Sequence, residues 1–258
     1  MRLPGTDRAA AGHEARPGTR VDVLEGIELV VFDKDGTLIE FARMWRDWVG
    51  ELGARLSEAT GVDLVDQLFA LMGVDPASGA IYPHGLLAAT PMARLRELVI
   101  EAVEDEGVAP DLAARAVGEA WRAPDPVALA TPVTDLPALL AALTARGIRA
   151  AVATSDDRVP TERTLAALGI LDRMIAIACA DDGHAVKPAP DSVLRIAAET
   201  GVPLQRMLVV GDAPADARMG RAAGVRRVVG VLTGVGDRAT LAPLADVVLD
   251  SIAELLPT

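Results

Sequence analysis

VVFDKDGTL, the stretch at residues 30–38, joins a short apolar run to two carboxylates that stand two positions apart. The apolar run reaches back to Ile27 and carries one charge near its start, which predicts a strand over Ile27–Phe32 covered on both faces. Asp35 and Gly36 form a turn signal directly after this strand. Two carboxylates at one strand end repel each other unless a cation joins them. The stretch therefore predicts a metal site at the carboxyl edge of a parallel sheet, where open α/β folds bind their ligands.

The composition limits the class of protein. The chain has 258 residues, 51% of them hydrophobic, so it can bury a full core and is not mainly disordered. Aromatic residues make up only 3%, which favours helices packed on a sheet of small and branched aliphatic residues. The net charge is −12, and the sequence shows no basic face of the kind that nucleic-acid-binding proteins carry. An anionic substrate would have to be attracted by a local site or by a metal.

Targeting and redox features favour a cytoplasmic protein. Cys179 is the single cysteine, so no disulfide can form within the chain, which fits a reducing compartment. No run of 18 apolar residues is present, so we expect no membrane helix. The N-terminal segment lacks the apolar core of a signal peptide, and residues 1–22 are expected to form a flexible tail. We expect a monomer or a homodimer.

After residue 40 the apolar pattern becomes helical. Trp45, Trp48, Leu52 and Leu56 recur with the spacing of one helix face. Further helical patterns cover Leu64–Met72, Met92 to about Gly107, and Asp111–Trp121. No convincing strand occurs between residues 41 and 125, and the segment at 123–134 contains three prolines and resembles a linker. We therefore predict an all-helical cap domain over residues 41–131.

Beyond this linker, strand and helix patterns alternate. The predicted strands are Ile148–Ala153, Met174–Ala178, Met207–Val210, Arg227–Val231 and Asp246–Leu249. Such β-α-β repetition favours parallel strands with helices on both faces of the sheet. Residues 23–40 and 132–258 are therefore predicted to form one Rossmann-like α/β core domain, into which the cap is inserted.

Polar side chains gather where the predicted strands end. They are Asp33 and Asp35, Thr154 and Ser155, Asp181 and Asp182, and Asp212, with Lys187 and Asp216 on neighbouring loops. Parallel strands present their carboxyl ends at one edge, so these groups are expected to lie close together. A packed core has no need of such a set, because buried charges are costly unless they are paired or bound to a metal.

Four of these segments together resemble the motifs of the haloacid dehalogenase-like hydrolase superfamily. In chain order they are FDKDGTL at residues 32–38, Thr154 at a strand end, KPAPD at residues 187–191, and GDAPAD at residues 211–216. The helical insert resembles the cap of the phosphoglycolate-phosphatase-like branch. The resemblance implies a Mg²⁺-dependent phosphatase that hydrolyses a small phosphorylated metabolite, with phosphoglycolate-like esters as the first candidates.

The resemblance also implies a role for each acidic residue. Asp33 would attack phosphorus and form an aspartyl-phosphate. Asp35 would protonate the leaving oxygen and then take a proton from the attacking water. Mg²⁺ would be held by the Asp33 carboxylate, the Asp35 backbone carbonyl and Asp212, with Asp216 binding the metal or its waters. The alternative is that Asp212 and Asp216 are carboxylates that cap a helix.

Three residues would hold the phosphoryl group. The Thr154 hydroxyl, backbone N–H groups near Ser155, and Lys187 would bind its oxygens as charge redistributes. Thr154 could instead cap the following helix. Asp181 and Asp182 either assist the metal or form a solvated turn.

Substrate choice is expected to come from the cap. Arg43, Arg46 and His84 are candidates for contacts with the leaving group, although surface arginines and a loop histidine fit the same sequence. Lys34 departs from the apolar residues common at its place in this branch. The run at residues 234–236, GVG, is too short for a dinucleotide fingerprint and receives no role.

Two other functions remain open. A phosphosugar mutase on the same fold would isomerise a sugar phosphate with little net phosphate release. A non-catalytic binding protein would keep the fold and bind Mg²⁺ without turning over any ester. A carbon–halogen hydrolase is disfavoured, because Asp35 is an acid/base that phosphoryl transfer needs and that branch typically lacks.

Overall fold

A six-stranded parallel sheet lies at the centre of the protein. The structure is a computed structural model, and it describes residues 22–82, 85–90, 92–122, 127 and 130–256. The strands are β1 (Leu29–Phe32), β2 (Arg149–Ala153), β3 (Met174–Ala178), β4 (Met207–Gly211), β5 (Arg227–Val231) and β6 (Val247–Leu249). They follow the order β3-β2-β1-β4-β5-β6, and each neighbouring pair is parallel. The prediction of a Rossmann-like parallel α/β fold is confirmed.

Ten helices surround or adjoin this sheet in the described part of the chain. Five lie between β1 and β2: α1 (Phe41–Thr60), α2 (Val65–Met72), α3 (Leu86–Ala89), α4 (Met92–Asp105) and α5 (Pro110–Ala120). Five follow: α6 (Leu136–Ala145), α7 (Arg158–Ala167), α8 (Asp191–Thr200), α9 (Pro214–Ala223) and α10 (Arg238–Leu241). Short 3₁₀ turns occupy Leu171–Arg173, Ala180–Asp182, Leu204–Arg206 and Ile252–Leu255. Along the described segments, no helix combines the length and the apolar character that crossing a membrane requires.

Strand β1 is buried on both faces of the sheet. Its four residues are fully shielded from solvent, and alternate side chains point to opposite faces. Val30 and Phe32 join the apolar cluster that contains the leucines of α6. Leu29 and Val31 join the cluster formed by α8 and α9. This two-sided burial is the reason that the strand reads as a continuous apolar run.

The position of β1 in the sheet also indicates where a ligand would bind. Strands β2 and β3 lie on one side of β1 in the sheet, and β4 to β6 lie on the other. The order therefore reverses beside β1, and ligands of open α/β sheets bind at this switch point, outside the carboxyl ends of the strands. Phe32 stands in register with Val152 on β2 and Val210 on β4. The residues that follow these three positions meet at one edge.

Helices α1 to α5, which we call the helical insert, have an apolar cluster of their own. Its fully buried members include Leu52, Leu56, Leu95, Val99 and Val117. Trp48 packs edge-to-face against Trp45 and Trp121, with ring centroids 5.5 and 5.3 Å apart. Its indole N–H donates a hydrogen bond to the carbonyl of Arg122 at 2.7 Å.

The two connections between the sheet and the helical insert run side by side. Ile39 forms an antiparallel bridge with Pro132. The N–H of Glu40 donates to the carbonyl of Thr131 at 2.8 Å, and the N–H of Val133 donates to the carbonyl of Leu38 at 3.1 Å. The chain therefore leaves and re-enters the core at one place.

The boundaries differ slightly from those predicted. Strand β1 starts at Leu29 because the preceding residues form a turn in which the N–H of Ile27 donates to the carbonyl of Leu24. Strand β4 extends one residue past the predicted Val210, and β6 starts one residue after the predicted Asp246. Helices α3 and α10 have four residues each and are too short to produce a recognisable period. The predicted tail, except residue 22, lies outside the described residues.

Candidate active site

Asp33 and Asp35 stand where β1 ends. The N–H of Asp33 donates to the carbonyl of Val210 on β4, so the backbone is still held by the sheet at this point. A tight turn follows, in which the N–H of Leu38 donates to the carbonyl of Lys34. Gly36 has φ +81°, and a Cβ placed there would lie 2.6 Å from Cγ of Asp212. The turn requires glycine both for its left-handed backbone and for the close approach of Asp212.

Asp212 and Asp216 come from the neighbouring strand β4 and the first turn of α9. Both are almost fully buried, at 3% and 2% exposure. One oxygen of Asp216 accepts the N–H of Ala213 at 3.0 Å, so this carboxylate also caps α9. Asp33, Asp212 and Asp216 each offer an oxygen, and these three oxygens lie within 4.8 Å of one another. The edge of the sheet thus concentrates three carboxylates in one small volume.

Lys187 supplies a positive charge on one side of this triad. It comes from the loop before α8, and its side chain is only 6% exposed. Its ammonium forms ion pairs with Asp33 and, at 2.7 Å, with Asp216. Burial acts to lower the pKa of Lys187, but these two carboxylates outweigh it and the pKa is raised. Lys187 is therefore charged whenever the site is assembled.

The carboxylates outnumber this lysine, and their pKa values reflect the imbalance. Burial raises the pKa of Asp216 to about 6, with the charge of Asp33 acting in the same direction and Lys187 against it. Burial and the charges of Asp33 and Asp216 raise the pKa of Asp212 well above its usual range. Among the described residues, no lysine or arginine forms an ion pair with Asp212. The site holds more negative charge than its own side chains neutralise.

This donor set fits a hard divalent cation. Carboxylate oxygens are the ligands that Mg²⁺ prefers, and a cation among Asp33, Asp212 and Asp216 would relieve their mutual repulsion. Lys187 compensates only part of that repulsion. The residues present can therefore hold a metal ion.

Thr154 and Ser155, which follow β2, lie at the same edge of the sheet as Asp33. The N–H of Thr154 donates to the carbonyl of Ala178, and its buried hydroxyl accepts the N–H of Asp156 at 3.2 Å. Thr154 thus stabilises the loop before α7 and does not cap the helix itself. Seven residues predicted for the core of the site line a single cavity of about 230 Å³: Asp33, Asp35, Thr154, Ser155, Lys187, Asp212 and Asp216.

The candidates for substrate choice lie elsewhere or outside the described residues. Arg43 and Arg46 line a separate cavity of about 480 Å³ together with Glu40, Thr233 and Ser251. Both arginines also approach Asp47, at 3.8 and 3.0 Å. His84 lies outside the described residues. The structure therefore does not bring these candidates to the cavity of the aspartates, and their role stays a prediction.

Asp182 belongs to a different cluster. Its side chain pairs with Arg158 at 2.8 Å and accepts the N–H of Cys179 at 2.9 Å. Asp181 accepts the N–H of Arg158. Neither aspartate is among the residues found to line the cavity of Asp33. The pair anchors α7 to the loop after β3, a structural function that the sequence did not indicate.

A loop after β5, to which the sequence assigned no role, packs against the acidic triad. The N–H of Val235 donates to the carboxylate of Asp212 at 2.7 Å, and the N–H of Gly236 donates to its backbone carbonyl at 3.0 Å. A Cβ at Gly234 would lie 1.9 Å from an oxygen of Asp212. Two glycines close together were the available signal, because they mark a close backbone approach.

Comparison with known proteins places this arrangement in a family. This is an open parallel α/β sheet with buried carboxylates and a buried lysine at the switch point, where such folds bind their ligands. The model of the haloacid dehalogenase-like hydrolase family matches residues 27–224. The chain belongs to this family.

Two curated relatives and one solved structure illustrate the likeness. A phosphoglycolate phosphatase of Rhodospirillum rubrum is 38% identical over 107 residues, which cover 42% of this chain and 44% of the relative. The Arabidopsis thaliana protein named suppressor of quenching 1, chloroplastic, is 30% identical over 204 residues, which cover 78% of this chain and 17% of the relative. The chain thus matches less than half the length of each. A hydrolase of the same family from Deinococcus radiodurans, solved with bound phosphate and sodium, superposes with a TM-score of 0.62 at 21% identity, covering 89% of this chain and 93% of that one.

Proposed function

We propose that this protein is a Mg²⁺-dependent phosphatase that hydrolyses a small phosphomonoester through an aspartyl-phosphate on Asp33. One observation carries the proposal: Asp33 is buried between the Lys187 ammonium and two further carboxylates, at the switch point of the sheet. A nucleophilic carboxylate needs cationic neighbours to approach an anionic phosphate, and Lys187 and a bound cation would supply them.

The first half of the reaction uses both residues of the opening turn. A carboxylate oxygen of Asp33 attacks phosphorus, and the bond between phosphorus and the leaving oxygen breaks. The carboxyl of Asp35 gives its proton to that oxygen. Burial is the largest influence on Asp35 and raises its pKa, with Lys34 acting in the opposite direction, so Asp35 can carry the proton that this step consumes.

The second half regenerates the enzyme. The Asp35 carboxylate takes a proton from a water molecule, and the water oxygen attacks phosphorus. The bond between phosphorus and Asp33 then breaks and releases inorganic phosphate. Dividing one displacement into two steps allows the same pair of residues to act on both the ester and the intermediate.

The remaining residues would hold charge in place. Lys187 and the Thr154 hydroxyl would bind the phosphoryl oxygens, with backbone N–H groups near Ser155. Asp33, Asp212 and Asp216 would hold Mg²⁺, which supplies charge compensation for the phosphoryl group. Since Lys187 already contacts Asp33, a phosphoryl group bound there would stay within reach of the nucleophile.

For the substrate, we propose a phosphoglycolate-like ester. This rests on the relatives named as phosphoglycolate phosphatases, whose matched segments cover only part of each protein. The helical insert would act as the cap that contacts the leaving group. We further propose that the protein acts in the cytoplasm, as a monomer or a homodimer, on small metabolites.

The test is a screen of small phosphomonoesters for phosphate release, with Mg²⁺ and with EDTA. We expect turnover only with the metal, and Asp33→Asn should lower it by about 10⁴-fold or more, as removal of a nucleophile does in other enzymes. Asp172→Asn, at an exposed turn, is the matched control and should keep full activity. Full activity of Asp33→Asn would refute the nucleophile assignment. Recovery of an isomerised sugar phosphate without phosphate release would indicate a mutase instead.

A further inference from the structure

Lys34 is a fully buried lysine that the reaction described above does not use. It lies between the two aspartates of the opening turn and is 1% exposed. Its ammonium contacts both carboxylate oxygens of Asp35, each at 2.7 Å. It also contacts the carboxylate of Asp156 at 2.9 Å. Its burial leaves it no surface with which to touch a substrate.

Lysine is rare in this chain, so the composition alone does not explain a lysine at position 34. Of the 25 basic residues in the chain, 23 are arginine, and the two lysines are Lys34 and Lys187. Both lie buried at the same edge of the sheet, one against Asp35 and the other against Asp33. The ammonium of lysine is a compact point charge on a flexible stem, so one such group can contact two carboxylates at once. The two proposed catalytic aspartates therefore have one buried lysine each.

Asp156, the second ion-pair partner of Lys34, is itself held in place by backbone hydrogen bonds. Asp156 follows β2, its N–H donates to the Thr154 hydroxyl, and its carbonyl accepts the N–H of Ala180 at 2.9 Å. The backbone of Lys34 is held by the turn, where its carbonyl accepts the N–H groups of Leu38 and Ile39. The ammonium thus joins the β1 edge to the β2 edge and has little freedom to move.

We propose that Lys34 is a positioning residue, which together with Asp156 holds the carboxyl of Asp35 in the orientation needed for proton transfer to the leaving oxygen. The ammonium contacts both oxygens of that carboxyl, so the group cannot turn away from Lys34 without breaking a short ion pair. A buried ion that bridges two fixed segments also prevents the side chain from rotating away. The inference rests on the proposed phosphatase function and adds a residue to it.

The leaving group of the substrate separates this role from a structural one. A general acid matters most when the leaving oxygen is strongly basic, as in an alkyl phosphate, and least when it is weakly basic, as in p-nitrophenyl phosphate. If Lys34 only stabilised the fold, its loss would slow both esters alike. If Lys34 positions the acid, its loss slows the alkyl ester selectively.

The experiment compares wild type, Lys34→Met and Asp156→Asn on 2-phosphoglycolate and on p-nitrophenyl phosphate with saturating Mg²⁺. We expect Lys34→Met to lower kcat/KM, which reports the half-reaction in which the leaving group departs, by roughly 10²-fold for the alkyl ester and by less than about 10-fold for the aryl ester. Asp156→Asn should show a smaller difference in the same direction, because its side chain is 43% exposed and its ion pair with Lys34 is partly open to solvent.

Each outcome has a distinct meaning. Equal losses of kcat/KM on the two esters, or no loss of kcat/KM for either variant, would overturn the positioning role while the phosphatase proposal stands. If Lys34→Met does not fold, the difference measured for Asp156→Asn decides in the same way. If the wild type hydrolysed neither ester, the proposed function would fail, and this inference with it.

Discussion

Asp216 allows the charge balance of the acidic site to be tested quantitatively. Its pKa is raised from 3.8 to about 6 in the folded protein, mainly by burial and by the charge of Asp33. The perturbation is Asp216→Asn, which keeps the size of the side chain and an oxygen to accept the N–H of Ala213 but removes the charge. The comparison is made in EDTA, so that no metal compensates the site.

The direction in which pH changes the free energy of unfolding depends on whether the folded or the unfolded state holds the proton of Asp216. Between pH 4 and pH 6 the unfolded chain has lost the proton of Asp216 while the folded protein keeps it. The free energy of unfolding therefore falls as pH rises through this window and stays low above it. A difference of about two pKa units corresponds to roughly 3 kcal/mol. Wild type should lose about that much stability, relative to Asp216→Asn, between pH 4 and pH 7.

Urea unfolding at several pH values measures this difference. Taking wild type minus variant cancels the aspartates whose pKa is lowered in the folded state, such as Asp22 and Asp246, since both proteins contain them. Saturating Mg²⁺ at pH 7 should restore the wild type by about 3 kcal/mol at 100 times the dissociation constant and leave the variant nearly unchanged. A stability difference that does not vary with pH would refute the charge imbalance on which the metal site rests.

Three further substitutions test packing: one beside the site, one as its control, and one in the helical insert. Gly234→Ala should abolish the rise in Tm that Mg²⁺ produces, because its Cβ would displace the carboxylate of Asp212; thermal scans with and without Mg²⁺ measure this. Gly118→Ala, in an exposed position of α5, is the matched control and should keep the Mg²⁺ response while raising the free energy of unfolding by up to about 1 kcal/mol. Leu52→Ala in the helical insert should cost roughly 2–5 kcal/mol by urea unfolding, with unchanged Mg²⁺ affinity, because it belongs to a separate apolar cluster. An intact Mg²⁺ response in Gly234→Ala, or a cost below about 1 kcal/mol for Leu52→Ala, would contradict these assignments.

The sequence was sufficient for the sheet and for the groups at strand ends. The apolar run before Asp33 is continuous because β1 is buried on both faces, and the residues after each such run must lie at the carboxyl edge. Topology then brings Thr154 and Asp212 beside Asp33 without any further information. Lys187 precedes a helix instead of ending a strand; its place on a neighbouring loop could be read from the sequence, but its role came from the family resemblance alone.

Other features depend on packing that no local pattern records. The contact of Gly234 with Asp212 joins positions on different loops, and only the folded chain shows which carboxylate the glycine admits. From the sequence, Lys34 is only a departure from the apolar residues of this branch, and nothing in the turn indicates that its side chain is buried. Its burial depends on Asp156, which is far away in sequence. Asp182 was assigned to the metal or to solvent, since its partner Arg158 could not be identified from spacing.

The paired connections at Ile39 and Pro132 have a consequence for how such proteins can diversify. The chain leaves and returns across one antiparallel bridge. Relative to the sheet, the whole intervening segment is therefore a loop whose ends are already joined. Lengthening such a loop adds little entropic cost. A different set of helices can be grafted between these two residues without shifting Asp33 or Asp35. The bridge makes the helical segment an exchangeable module, so that selection can change the molecule being recognised while the reacting groups stay in register.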